Sequence, residues 1–233
     1  NHGEFAVMAC SNGVEIYNLQ SYEPWPAPWY HQGEDYCSAL ALNPDDTMLA
    51  TGMSLGIIRL WALDNTNPRQ PTIKALTNFK GLPGALSVTA VAFHPGGATL
   101  ASASGVFVRL FDISPLSEGF TATFIHSEQC NDLAFDPAGK ILAVACGSGI
   151  VLWAYPPIVT TKPTSFATIR GHEGTVTGLH FLPREGTSAP VLASSSKDGR
   201  MKLWDLGPHV LRQLHSESAL STMCHGIFAQ LYH

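Results

Sequence analysis

Residues 191–206 read VLASSSKDGRMKLWDL, and this stretch decides the fold. An apolar and small-residue run leads into a Lys-Asp-Gly turn at 197–199, and Met201 and Trp204 belong to an alternating run that returns. This pattern predicts a β-hairpin, in which Asp-Gly supplies the positive φ of a tight turn. A lone hairpin cannot bury its apolar faces in water, so it must stack against something else.

Four further copies of this hairpin precede it in the chain. The returning strand of each copy ends in an aromatic residue, and the intervals between these aromatics run from 42 to 51 residues. A strand that ends close to a proline precedes four of the hairpins, and a more polar strand with the character of an outer edge lies between repeats. A four-stranded unit at this period predicts a repeat architecture. The five aromatics are Tyr17, Trp61, Phe111, Trp153 and Trp204.

The last complete repeat carries a Gly-His start at 171–172, Asp198 after its small-residue strand, and a Trp-Asp finish at 204–205. In this pattern the chain resembles the WD40 family of β-propellers. The resemblance implies an all-β fold of four-stranded antiparallel blades. It also implies a structural staple within the last blade, formed by His172, Asp198, Trp204 and one serine of 194–196. The other copies are degenerate, so we expect the last blade to be the best ordered.

The repeats predict a single propeller domain over residues 1–233. A seven-bladed ring of this kind needs roughly 290 residues, and the chain is shorter and begins inside a blade. We expect about five blades in a partial propeller that further chain or a partner completes. The alternative is a five-bladed ring in which residues 219–233 supply a closing strand for the first blade.

Charge and composition exclude several function classes. A net charge of −5 with 13% charged residues disfavours a nucleic-acid-binding surface. The absence of a long uncharged apolar run predicts no membrane insertion. Five scattered cysteines without a CxxC pair favour a reducing compartment, either the cytoplasm or the nucleus.

No catalytic, cofactor-binding or metal site is predicted. The sequence contains no phosphate-binding GxxxxGK[ST] loop, and no His-x-x-x-His or CxxC pair. Four of the ten histidines recur in loops of His and Glu that follow the polar strands, at His31, His126, His172 and His215. Because equivalent positions on neighbouring blades do not converge on one ion, we interpret these histidines as structural.

The segment 22–30, YEPWPAPWY, interrupts the repeat with two tryptophans and three prolines. Trp and Tyr are enriched at binding hot spots, so Trp25, Trp29 and Tyr30 are candidate partner contacts. The alternative is that Trp29 and Tyr30 form the outer strand of the first blade and pack on its core.

Three cations precede the strand-ending aromatics by two residues, at Arg59, Arg109 and Lys202. They would either form a positive ring that recognises acidic peptides or lay their stems over neighbouring apolar surface.

The resemblance implies a non-catalytic scaffold that binds other proteins within a larger assembly. The alternative is a recognition subunit that grips a short peptide motif over the top face of the propeller. A scaffold would use wide edges or loops, whereas a peptide reader needs a compact pocket built from the His-and-Glu loops.

Overall fold

The computed structural model describes residues 5–10, 13–18, 29–30, 35–64, 72–79, 86–114, 116–155, 165–182 and 190–207. Across these ranges the regular elements are β-strands, eighteen in number. The chain divides into two compact units, Asn1–Ile125 and His126–His233, which we describe separately. Within the described ranges there is no helix of the length and apolar character that crossing a bilayer requires.

The first unit contains three antiparallel sheets whose strands pair in chain order. The first sheet is β1 (Phe5–Cys10), β2 (Gly13–Asn18) and β3 (Trp29–Tyr30). The second is β4 (Cys37–Leu42), β5 (Met48–Met53), β6 (Ile58–Asp64) and β7 (Thr72–Phe79). The third is β8 (Val88–Phe93), β9 (Thr99–Ser104), β10 (Phe107–Ile113) and β11 (Leu116–Ile125).

The second unit contains two more antiparallel sheets. One is β12 (Cys130–Phe135), β13 (Ile141–Cys146), β14 (Gly149–Ala154) and β15 (Ala167–Arg170). The other is β16 (Val176–Leu182), β17 (Val191–Ser196) and β18 (Met201–Asp205). The predicted all-β fold of antiparallel propeller blades is confirmed. The predicted closing segment 219–233 lies outside the described residues.

The core of each unit lies between neighbouring sheets. In the first unit, Ile58 and Leu60 of the second sheet pack in one cluster with Phe93, Leu100 and Phe111 of the third. In the second unit, Leu152 and Ile169 pack in one cluster with Leu192 and Trp204. A sheet with a like sheet on each side meets water on neither face, which explains why the inner strands carry apolar or small residues on both faces.

Four sheets share a β-bulge at the second residue of their first strand. The pairing register skips one residue between Cys37 and Ala39, and the same shift recurs in β8, β12 and β16. In two of these sheets, the side chain of the extra residue forms a hydrogen bond to the neighbouring sheet of the same unit. Ser38 Oγ lies 2.7 Å from the carbonyl oxygen of Val88, and Asn131 Nδ2 donates to that of Val176 at 3.1 Å. A bulge re-aims a side chain, and here it aims polar groups at the next blade.

Candidate functional site

A hydrogen-bonded chain of four side chains joins the strands of the last sheet. His172 Nδ1 lies 2.9 Å from Asp198 Oδ2, and His172 Nε2 lies 2.8 Å from Ser194 Oγ. Trp204 Nε1 donates to the same Ser194 oxygen at 2.8 Å. A neutral imidazole satisfies the whole chain, since Nδ1–H donates to the carboxylate and the serine hydroxyl donates to Nε2. The structure thus brings the predicted staple residues together and selects Ser194 from the three serines.

Asp198 lies in the turn between β17 and β18, and its side chain is buried. Burial alone would raise the pKa of its carboxyl. Hydrogen bonds from His172 and from the backbone amides of Glu173 and Arg200 outweigh burial and hold the pKa well below its usual range. The negative charge is therefore part of the staple.

We expect this carboxylate to give the last sheet a pH-dependent stability. Because the folded-state pKa is below the ordinary value of 3.8, the contribution of Asp198 is complete above that pH and is lost as the pH falls through the folded pKa. Asp198→Asn should therefore destabilise the chain at pH 6 and by a smaller margin at pH 3. Urea unfolding of both proteins at the two pH values measures the difference, and an equal margin at both would contradict the assignment.

The second sheet keeps part of this staple with different residues. Trp61 Nε1 donates to Thr51 Oγ1 at 3.0 Å, as Trp204 does to Ser194. Asp35 accepts from Ser54 Oγ at 2.9 Å and from the amide of Leu55 at 3.0 Å, so a carboxylate still anchors the turn. In the third sheet, Phe111 occupies the aromatic position and offers no N–H group.

The fourth sheet has lost the staple partners of its histidine. His126 precedes Phe135 by nine residues, as His172 precedes Phe181, and its ring meets that of Trp153 edge-on at 5.5 Å. Strand register places Val144 where the last sheet has Ser194. The turn after β13 is one residue shorter and carries no carboxylate. His126 Nε2 is consequently buried without a hydrogen-bond partner.

Two cysteines lie beside this histidine. Cys130 and Cys146 are direct partners in the β12–β13 ladder, and their Sγ atoms are 3.2 Å apart. One imidazole nitrogen of His126 and the two Sγ atoms all lie within 4.8 Å of one another. Among the described residues, this is the one group of three His, Cys, Asp or Glu donors close enough to hold a metal ion.

The surroundings favour the neutral forms of Cys146 and His126. The hydrogen bond with Cys130, followed by burial, raises the pKa of the Cys146 thiol, and burial lowers the pKa of the His126 imidazole. The sequence analysis missed the group because the two cysteines are sixteen residues apart and form no CxxC pair. Cys130 lies at the start of β12 and Cys146 at the end of β13. Because these two strands are antiparallel neighbours, the positions could have predicted that the two cysteines meet.

The structure describes only part of the aromatic segment. Trp25 lies outside the described residues. Trp29 and Tyr30 form β3, whose register pairs Trp29 with Val14 at the edge of the first sheet. This backbone position is that of an outer strand, the alternative to a free contact segment. The side chains of both residues lie outside what the structure describes, so their role as partner contacts stays a prediction.

The three candidate ring cations each have a contact within their own unit. Arg59 lies 3.8 Å from the Asp35 carboxylate, and the Arg109 guanidinium lies 4.5 Å from the centre of the Phe120 ring. Lys202 donates to the carbonyl oxygen of Gly171. These contacts hold the three charged groups against the protein surface, and both interpretations of the cations stay predictions.

Three large apolar side chains are exposed along one edge of the first unit, at the ends of the strands where the β5–β6 turn lies. Tyr36 is 51% exposed, Leu55 52% and Leu86 46%. The amide of Ser54 donates to the carbonyl oxygen of Tyr36, and a Cβ placed on Gly56 would lie 2.9 Å from the carbonyl oxygen of Leu86, so the three residues follow one continuous edge. We call Tyr36, Leu55 and Leu86 the turn-edge surface.

Comparison with known families agrees with this architecture. The family described as "WD domain, G-beta repeat" matches residues 30–62, 75–106, 119–153 and 163–205, which is more than half of the chain. The chain belongs to the WD-repeat family. The resemblance of the repeats to this family is thereby confirmed. Three of the four matches end within one residue of a strand-ending aromatic, at Trp61, Trp153 and Trp204.

The chain is similar in sequence to proteins from several organisms. Pre-mRNA-processing factor 19 homolog 2 of Arabidopsis thaliana is 32% identical over 74% of this chain and 30% of its own length. Periodic tryptophan protein 2 homolog of Dictyostelium discoideum is 29% identical over 88% of the chain and 21% of its own length. Nuclear distribution protein PAC1 of Arthroderma benhamiae is 30% identical over 57% of the chain and 30% of its own length. The chain thus spans a fifth to about a third of these relatives.

Proposed function

We propose that this chain is a non-catalytic interaction scaffold, which holds other proteins of a multiprotein assembly on the edges of its WD-repeat blades. The observation that carries the proposal is the turn-edge surface. Membership of the WD-repeat family supports it, because repeat architectures present extended surfaces on a rigid frame.

The turn-edge surface is apolar at its tip and rigid at its base. The amide of Tyr36 donates to Ser54 Oγ at 3.1 Å, and the Asp35 carboxylate accepts hydrogen bonds from Ser54 Oγ and from the amide of Leu55. Ser104 Oγ donates to the carbonyl oxygen of Leu86 at 2.9 Å. Because the backbone is already ordered, a partner that covers these side chains loses little conformational entropy of the scaffold on binding. Exposed aromatic and aliphatic anchors of this kind are typical of binding hot spots.

A compact peptide pocket has less support at this edge. The cavity beside Arg109, lined by Ser102, Ser104 and Phe111 among others, has a volume of about 10 Å³. That volume holds about one water molecule and no peptide side chain. A wide contact therefore fits this edge better than a gripped peptide tail, and the recognition of a short peptide motif is the second proposal.

Alanine substitution of all three turn-edge residues should weaken partner binding at least tenfold, because truncated hot-spot side chains typically cost more than 1 kcal/mol each. Affinity purification with the full-length protein, followed by mass spectrometry, identifies a partner. The Kd of the purified partner is then measured for the wild-type protein and for the triple variant. Met201→Ala is the control, since Met201 is 74% exposed but lies in the other unit.

Unchanged affinity of the triple variant, with unchanged melting temperature, would contradict the turn-edge surface. In that case Trp25→Ala with Tyr30→Ala tests the aromatic segment in the same assay. A short peptide of the partner that binds as tightly as the whole partner would favour the peptide reader over the scaffold.

We also propose a cytoplasmic or nuclear location. Among the described residues, Cys37, Cys130 and Cys146 form no disulfide bond, which is typical of a reducing compartment. The names of two relatives refer to nuclear distribution and to pre-mRNA processing, which agrees with this location.

A further inference from the structure

The fourth sheet gathers three soft or borderline metal ligands at the place where the last sheet has its staple. His126 occupies the position of His172, while Cys130 and Cys146 occupy those of Val176 and Ser196. Cys130 is fully buried, Cys146 is nearly so, and His126 Nε2 is buried with no hydrogen-bond partner. A buried polar nitrogen that lacks a partner is unusual in a folded protein and calls for an explanation.

The donor set fits Zn²⁺ better than other common ions. Two cysteine thiolates and one imidazole are typical zinc ligands, whereas Mg²⁺ and Ca²⁺ prefer oxygen. The charge also fits, because two thiolates neutralise the ion in a buried place. With Zn–S bonds of about 2.3 Å in a tetrahedron, the sulfur atoms move apart by roughly half an ångström from their present 3.2 Å.

Glu128 lies in the same loop, outside the group of three donors whose atoms are all within 4.8 Å of one another. The Glu128 carboxylate lies over Gly147, where a Cβ would collide with it, and its charge acts on the neighbouring Cys146 thiol. This carboxylate, or a water molecule in its place, would complete a tetrahedral site. All four candidates belong to the His126 loop, the start of β12 and the end of β13, which are the elements that a staple has to join.

We infer that His126, Cys130 and Cys146 form a structural Zn²⁺ site, which replaces the lost hydrogen-bonded staple of the fourth blade. On binding, the two thiols each release one proton and the neutral imidazole donates its nitrogen lone pair, so no oxidant or reductant is consumed. Zinc affinity therefore rises with pH, by up to about 100-fold per pH unit while both protons are released.

The test uses the full chain, reduced and purified without oxygen. Co²⁺ added to the wild-type protein should give thiolate-to-metal charge-transfer absorption and the visible bands of a tetrahedral ion, and Zn²⁺ should displace it at one equivalent. Zn²⁺, and neither Mg²⁺ nor Ca²⁺, should raise the melting temperature. Cys146→Ser should lower zinc affinity at least 100-fold and still fold, because the last sheet has Ser196 at this position.

Cys37→Ser is the matched control. Cys37 is also a buried cysteine at the start of a first strand, but its ladder partner is Met53 and not a second cysteine. This variant should bind zinc as the wild type does, whereas His126→Asn should resemble Cys146→Ser. Equal zinc affinity of the Cys146→Ser and wild-type proteins would overturn the site. So would a Cys130–Cys146 disulfide in the anaerobic protein, seen as a loss of two thiols and two mass units.

Discussion

Replacing Ser194 with alanine is expected to lower the free energy of unfolding of the unit His126–His233 by about 3 kcal/mol. The Ser194 hydroxyl bonds to both Trp204 Nε1 and His172 Nε2, and all three groups are buried. Its removal leaves one buried donor and one buried acceptor unsatisfied, each at a cost of about 1–3 kcal/mol. Urea unfolding followed by tryptophan fluorescence measures the loss, since Trp204 itself reports on the site.

The neighbouring serine provides the control. Ser195 points to the opposite face of β17, and its hydroxyl meets that of the exposed Thr177 at 3.2 Å. Ser195→Ala should therefore cost less than about 1 kcal/mol. Ser194→Thr should lose less stability than Ser194→Ala, because Thr51 plays the same part for Trp61 in the second sheet. If Ser194→Ala and Ser195→Ala were equally stable, the staple would not hold the last blade.

Periodic patterns made the fold predictable from sequence. Alternation of apolar residues, glycine-bearing turns and strand-ending aromatics at 42 to 51 residues are local features, so the eighteen strands follow from repetition of one unit. Part of the staple could also be predicted from local sequence. His172 precedes Phe181 by nine residues, and the Trp-Asp pair at 204–205 is visible directly in the chain. Which of three consecutive serines joins it depends on the direction of each side chain, and therefore on the ladder register.

The remaining features depend on pairing across the sheets. Cys130 and Cys146 meet only because the β12–β13 register makes them partners, and a bulge one residue later shifts that register. A one-residue bulge has no signature in a single sequence. The turn-edge surface is equally hidden, since Leu55 and Leu86 are isolated leucines in their segments and only the fold brings them to one edge.

Truncation of Phe111 should be the most damaging change in the first unit. Phe111 is 1% exposed, and its ring centre lies 4.7 Å from that of Phe79 in the core between the second and third sheets. Phe→Ala substitutions in a packed core remove the transfer free energy of the ring and leave a cavity, at a cost of about 3–5 kcal/mol. Thermal and urea unfolding of Phe111→Ala should show a loss of this size in the unit Asn1–Ile125.

Phe120, in the same sheet, is the control for Phe111, because its ring is exposed and not part of the core. It is 51% exposed and contacts the Arg109 guanidinium, so Phe120→Ala loses a cation–π contact and creates no cavity. Its cost should be about 1 kcal/mol or less. A loss for Phe111→Ala as small as that for Phe120→Ala would mean that the two sheets are not held together by their shared core. The bulge hydrogen bond from Ser38 to Val88 would then have to carry the contact between these blades, and Ser38→Ala would become the more damaging change.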